Sequence, residues 1–489
     1  AIFTISISLL FMNGLPSHYL IGSDVHREHY AFLTTSANLH WSIDNYRHLL
    51  NACLSTTILP TIFEKLSGIP SVHVFKVIFN LIFAFIPLTV YVICRQYFRS
   101  REAFLAAFLF VAQIPFLYTL QSGMRQGIAI LFFALTVVTI VDDKIVPIIR
   151  KSLLVVFIAS IVVSHYSTAY VGAFILLIVL LLIRILKAKH ISFSSNVTGV
   201  MLTLALVFIF LWNAQMTVGF SSMVHFIDNT MANLVHFAEI ESRGGEVTTV
   251  LAANQTNELQ KMWTVTNWII TGLMAIGLVY LIIQFFRLKR LRPSSDLLLL
   301  MVGAGFVLAL VVIIPYLANY NPSRLYIQVL VLLGPAFIIG GMVICRFLKL
   351  TRFTHIFFLI VIILQLFCVT YIAPRVFGVP AVAVTREGGA YWRYYIHDSE
   401  VHATSWLADN VADDYIIYAD YIADSRLLAG FKGIPNKSRE PFEHLTISEE
   451  NGNHDYVYFG AANTIKGKVH PTQSLDDIRD ISDYYWFFG

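Results

Sequence analysis

Five ionisable side chains could do chemistry together: Asp24, Glu28, Arg125, His165 and Arg324, each beside a long apolar run. Asp24 and Glu28 stand four apart in GSDVHREHY, so a helix would carry both carboxylates on one face. Such a pair can take a proton from a hydroxyl, although Ser23 or Asp24 could also simply cap the helix, with Glu28 a solvated first-turn acid. Arg125, in SGMRQGIA, opens an apolar segment, where a guanidinium either snorkels to the surface or holds an anion. Arg324 follows the turn Asn321-Pro322-Ser323, whose serine can cap the next helix. An arginine in a first turn opposes the helix dipole, and a bound phosphate would relieve that opposition. His165, in VVSHYSTAYV, separates two apolar runs; a helix-hairpin tip explains it equally well.

The elements that carry these residues must be membrane helices. With 57% hydrophobic and 13% charged residues and a mean hydropathy of +0.69, a chain of 489 residues has too little polar surface for a soluble domain. A bilayer span needs about 20 mostly apolar residues, and eleven runs of that character are present. The first, Ala1 to about Asn13, reads as the trimmed end of a helix rather than a signal peptide. The others lie near 72–94, 103–120, 124–141, 152–164, 166–183, 197–215, 263–286, 297–317, 324–345 and 353–372.

Lys and Arg in short loops stay cytoplasmic. Every second connection is basic: Arg95, Arg99 and Arg101; Lys144, Arg150 and Lys151; Arg184, Lys187 and Lys189; Arg287, Lys289, Arg290 and Arg292; Arg346, Lys349 and Arg352. This bias predicts a cytoplasmic start and puts residues 14–71, 216–262 and the tail from about 373 outside, with all five candidate residues on that outer side. It also accounts for most of the net charge of +4, so nucleic acid is not implied as a partner. The domains expected are a membrane domain over 1–372 and a soluble extracytoplasmic domain over 373–489, in a multi-pass protein of the plasma membrane. The fold class is mainly α, with a small α/β tail: 398–410 has helical apolar spacing, and YIIYADY and YVYFG look like strands. The stretch from His40 to Ile69 suits short interfacial helices, and 216–262 is long enough to be a lid or a spacer. Asn254-Gln255-Thr256 and Asn436-Lys437-Ser438 are glycosylation sequons. Cys53, Cys94, Cys345 and Cys368 are scattered and suggest neither a disulfide framework nor a metal site.

An outward-facing carboxylate pair beside anion-binding groups at the lipid boundary is what glycosyl transfer from a lipid phosphate donor requires. One carboxylate takes the acceptor's proton while cations stabilise the departing phosphate. At these residues the chain resembles the GT-C superfamily of integral membrane glycosyltransferases, whose catalytic acid sits in the first outer loop. It is most similar to an archaeal-type family of predicted multi-pass membrane proteins with SHYSTAYV and a polar tail opening on a Trp-Leu pair, here Trp406-Leu407. The SGMRQGIA and SHYS stretches also resemble exopolysaccharide polymerases. The resemblance implies an inverting transferase with Asp24 as base and Glu28 assisting it or binding a metal. Arg125, His165 and Arg324 would hold the donor phosphate, and His26, Arg27, Tyr166 and Tyr320 are accessory candidates. It implies a polyprenyl-phosphate-linked sugar donor and a glycan or protein acceptor. No cofactor is specified, and a divalent cation is left open. The chain departs from the superfamily in having no clear second-loop acidic pair and no oligosaccharyltransferase-like motif in the tail. The competing readings are a polysaccharide polymerase or ligase of related architecture and, in a different class, a lipid or glycan transporter or flippase; apolar midplane runs count against transport.

Overall fold

The computed structural model describes residues 1–191, 193–217, 219–237, 239, 258–288, 295–314, 321–370, 372–378, 391 and 394–410. Beyond these it describes short pieces at 417–420, 422–424, 427, 439–441, 456–460, 463–464, 468–469 and 479–480. The described residues are mainly helical. Eight helices are long and apolar enough to cross a bilayer: Ser71–Arg95, Met124–Val141, Pro147–Ser164, Tyr166–Ala188, Glu258–Arg287, Ser295–Ile313, Pro322–Phe347 and Thr351–Val369. A ninth arises if Ser100–Val111 and Pro115–Ser122 are one span, bent by 60° at the break. Pro115 cannot donate a backbone hydrogen bond, and at this break the Gln113 side chain donates to the Leu109 carbonyl at 2.9 Å. Ile2–Gly14 and Gly199–Ala214 are shorter apolar helices. Among the described residues, each of the eleven expected segments overlaps one of these helices or the bent pair, and eight of them, or nine with the bent pair, have the length of a span. The segment expected at 152–164 starts earlier, because Pro147 supplies a preset φ at the first helical turn and loses no hydrogen bond there; the helix runs 18 residues to Ser164.

Two clusters of polar contacts mark the two ends of the bundle. At the basic end, Asp296 accepts from the Ser195 hydroxyl and from the Asn196 backbone at 2.8 Å. The Asn196 amide reaches the Ile140 carbonyl at 2.8 Å, and Arg150 donates to the Asn196 side chain at 2.7 Å. At the opposite end, the first long connection folds into Asp24–Asn38, a turn at Ile43–Asn45 and the helix Ile58–Ser67, the short helices its composition suggested. It is tied to the end of Pro147–Ser164 by a 2.8 Å bond from Leu54 N–H to the Val163 carbonyl.

Pro322–Phe347 is the most enclosed of the eight helices. It crosses Glu258–Leu288 at a glycine pair: a Cβ on Gly340 would lie 1.8 Å from the Leu273 carbonyl oxygen, and one on Gly277 would lie 1.9 Å from that of Ala336. Helix pairs in lipid gain from such backbone approach, since lipid tails are as apolar as leucine and only packing discriminates. Gly340→Ala is therefore expected to destabilise the protein by about 3 kcal/mol, the upper end of overpacking costs, because the atoms met are backbone and cannot rotate away. Gly272→Ala, where nothing lies within 4 Å, should leave the thermal midpoint in detergent unchanged, and equal midpoints for the two variants would refute the close crossing.

The tail contains the helix Asp398–Asn410 and three short parallel strands, β1 (Ile417–Ala419), β2 (Arg439–Pro441) and β3 (Tyr456–Tyr458), in the order β2-β1-β3. Ile417 stands opposite both Arg439 and Tyr456. Leu407, Ile417, Ala419, Ala423, Leu427 and Tyr458 form an apolar cluster separate from that of the membrane helices. The segment expected at 216–262 begins with the helix Gly219–Asn233; both sequons and the centre of the expected lid lie outside the described residues.

Candidate active site

Gly22 leads the chain into the site helix with φ +133°, and a Cβ there would lie 2.7 Å from the Ser122 backbone, so only glycine fits. Ser23 is the N-cap of Asp24–Asn38, but its side chain makes no capping bond. Its backbone N–H instead donates to the Ser122 hydroxyl at 3.2 Å. This contact seats the start of the helix on the end of the bent pair, with Asp24 and Glu28 over the next helix, Met124–Val141.

That helix begins at Gly123, which has no side chain with which to cap it. Glu28 supplies the cap from another segment: its Oε2 accepts the Met124 N–H at 2.7 Å and its Oε1 accepts from Arg125 Nη1. A carboxylate at a helix N-terminus gains from both the free N–H groups and the dipole. Arg125 spans the two acids, donating through Nη2 to Asp24 Oδ2 at 2.8 Å. Arg324 donates to the same Asp24 oxygen at 2.5 Å. Its helix is capped by Asn321, whose side chain accepts the Arg324 N–H at 3.1 Å. The expected cap, Ser323, lies inside the helix, since Pro322 takes the first helical position and leaves Asn321 at the cap.

Four of the five candidate residues thus form one ion-pair cluster drawn from three distant segments. Side-chain exposure divides them: Glu28 is 0% and Arg125 3% exposed, whereas Asp24 and Arg324 are each 21% exposed. Burial would raise the Asp24 carboxyl, but Arg324 and Arg125 outweigh it and hold the group well below the usual carboxylate range. Burial dominates at Glu28 against the pull of Arg125, with the Asp24 charge adding, and that carboxyl sits above the usual range.

His165 is the fifth. It is buried between Pro147–Ser164 and Tyr166–Ala188, its Nδ1 2.7 Å from the Thr168 hydroxyl and its Nε2 without a hydrogen-bond partner among the described residues. It makes no hydrogen bond to the acids, but feels the charges of Arg125, Arg324 and Asp24; burial first, then the two arginines, push its pKa well down. Tyr166 packs beside it at 5.2 Å between ring centroids. Of the other accessory candidates, His26 is buried on the site helix, and Arg27 turns away from the cluster to pair with Asp424 of the tail at 3.0 Å. Tyr320 lies outside the described residues.

Two contributors escaped the sequence reading. Gln126 donates to the Arg324 carbonyl at 2.8 Å, tying the two arginine-bearing helices together; its only signal was an amide at the head of an apolar run. His48 lies near Arg27, Arg125, Asp24 and Asp424, with Nδ1 accepting the Leu50 N–H at 3.1 Å; burial, then Arg27 and Arg125, lower it to about 4. Nothing in the surrounding sequence marked it. A divalent cation needs several oxygen ligands. Both arginines engage Asp24 Oδ2, Arg125 and the Met124 N–H occupy the two Glu28 oxygens, and among the described residues no group of three or more His, Cys, Asp or Glu is placed to hold a metal. The residues described there do not fit a divalent cation.

A family model described as predicted membrane protein (DUF2206) matches residues 150–482, more than half of the chain. The chain belongs to that family. The matched stretch holds His165, Arg324 and most of the tail, while Asp24, Glu28 and Arg125 precede it. No curated protein sequence matches the chain. Among solved structures it is similar to the archaeal oligosaccharyltransferase AglB from Archaeoglobus fulgidus, in complex with an inhibitory peptide and a dolichol-phosphate. The TM-score is 0.52 at 13% identity, over 88% of this chain and 63% of that one. It is also similar to the Archaeoglobus fulgidus oligosaccharyltransferase in complex with zinc and sulfate, with a TM-score of 0.50 at 14% identity over 90% and 61%. The chain spans less than two thirds of the length of either. At these identities the likeness is one of fold.

Proposed function

We propose that this protein is a membrane glycosyltransferase that moves a sugar from a polyprenyl-phosphate-linked donor to a glycan or protein acceptor at the outer membrane face, with inversion. The observation that carries the reading is the cluster of Asp24, Arg125, Glu28 and Arg324 at the end of the bundle opposite the basic loops. The alternating Lys and Arg residues support an extracytoplasmic position for that end and for the tail, with residues 1–372 as the membrane domain and 373–489 as the soluble one.

In this reaction the acceptor hydroxyl oxygen forms a bond to the anomeric carbon as the bond from that carbon to the phosphate oxygen breaks. The hydroxyl proton passes to Asp24, and the electron pair leaves with the polyprenyl phosphate or diphosphate. Arg324, with Arg125 behind it, stabilises the charge that develops on the leaving group, and His165 can add a hydrogen bond. Glu28, enclosed and with both oxygens engaged, is a positioning residue that fixes Arg125. The test is transfer by the purified protein in detergent: polyprenyl phosphate or diphosphate should be released with formation of a glycosylated acceptor, no sealed compartment being needed. Movement of the lipid across vesicles without product chemistry would instead make the protein a transporter.

A further inference from the structure

The ion-pair cluster is electrically balanced, two guanidiniums against two carboxylates. A balanced site offers a dianion little net attraction, so one of its cations must be released before a phosphate can be held. Exposure and bonding decide which. Arg125 is enclosed and donates to both acids, and Glu28 is locked by the additional Met124 N–H. Arg324 and Asp24 form the open edge of the cluster, joined through a single Asp24 oxygen that Arg125 also engages. A guanidinium binds a carboxylate or a phosphate through the same donor fork, and a diphosphate or a phosphate monoester carries the larger charge.

We infer that Asp24 occupies, on Arg324, the place of a phosphate ester, so that phosphate entry is an exchange of ion-pair partners. The ligand class is a phosphate or diphosphate group, esterified at both ends in the loaded donor and at one end in the leaving group, whether a lipid headgroup or a free anion. Arg324 turns from Asp24 Oδ2 to the phosphate, and Arg125 stays with Glu28 and Asp24. The buried Nε2 of His165, which has no hydrogen-bond partner among the described residues, is a further polar group in the field of the same charges. The exchange leaves Asp24 with one cation instead of two, so its carboxylate becomes a stronger base only when the donor is loaded. This inference rests on the reading of Arg324 as a phosphate-binding residue.

Binding of inorganic pyrophosphate and of dolichyl monophosphate to the detergent-solubilised protein tests it, with the wild type, Asp24→Asn and Arg324→Gln side by side. Removing the resident carboxylate should tighten binding by about tenfold or more, the worth of one charge-assisted contact, and Arg324→Gln should abolish it. Tightening with both probes identifies the phosphate alone as the ligand; tightening with the dolichyl probe only makes the lipid chain part of it. If Arg324→Gln abolishes binding but Asp24→Asn binds no tighter than the wild type, the exchange is wrong and the phosphate site stands. If the wild type binds neither probe and Arg324→Gln changes nothing, the phosphate-site reading itself fails. Should Asp24→Asn not fold, a structure of the wild type with pyrophosphate decides: the Arg324–Asp24 contact should open beyond 4 Å, and an intact pair beside a bound phosphate would overturn the exchange.

Discussion

Asp24→Asn should lower turnover by about 10²–10⁴-fold, the range of general-base catalysis, while the protein remains folded. Asparagine keeps the shape and the oxygen that accepts from Arg125 and Arg324, but cannot take the acceptor's proton. Because the variant also loses the anion that competes for Arg324, the donor KM should fall along with kcat, a combination that simple damage to the site would not produce. Glu28→Gln provides the contrast. Glu28 has no exposed surface and both its oxygens are engaged, so it cannot reach an acceptor, and its loss should reduce turnover less than that of Asp24. A larger loss in Glu28→Gln would transfer the role of base to Glu28, and wild-type turnover in both variants would reduce the first loop to a capped interfacial helix. Steady-state kinetics with the donor varied at saturating acceptor separates these outcomes.

Arg125→Ala should cost about 3–5 kcal/mol of stability, the penalty for leaving a buried charge without its partner. Arg125 is 3% exposed and Glu28 0% exposed, so neither water nor another described cation takes the place of the guanidinium. The thermal midpoint in detergent should therefore drop sharply in Arg125→Ala. It should recover in part in the double variant Arg125→Ala/Glu28→Gln, where the stranded carboxylate becomes a neutral amide that still accepts the Met124 N–H. No recovery in the double variant would mean that the stability lost belongs to the volume of Arg125 and not to its charge. Arg324→Ala, at the open edge of the cluster, should affect donor binding far more than stability.

The contrast between the two arginines was not legible in the sequence, where each simply opens an apolar segment. What the sequence determined by itself was the membrane character, the positions of the helices and the gathering of the ionisable residues at one end of the bundle. These follow from local rules: an apolar run long enough to satisfy its own backbone in lipid is a helix, and an ionisable residue in such a chain is costly enough to mark a site wherever it occurs. The start of Pro147–Ser164 and the capping of Pro322–Phe347 by Asn321 were misread, but both are also local, settled by the proline at the head of each helix.

Only the tertiary structure decided the partners. Arg324 meets Asp24 across 300 residues and Arg27 meets Asp424 across 397, while Glu28 caps a helix 96 residues away whose own N-cap is a glycine. No periodicity or spacing encodes such pairings. They depend on which polar groups are left unsatisfied when the helices pack, and on how strongly a buried, low-dielectric site penalises a charge without a counterion. For that reason Asp24 and Glu28, equivalent as neighbours on one helix face, end in different roles: one at the exposed edge beside Arg324, the other enclosed under Arg125.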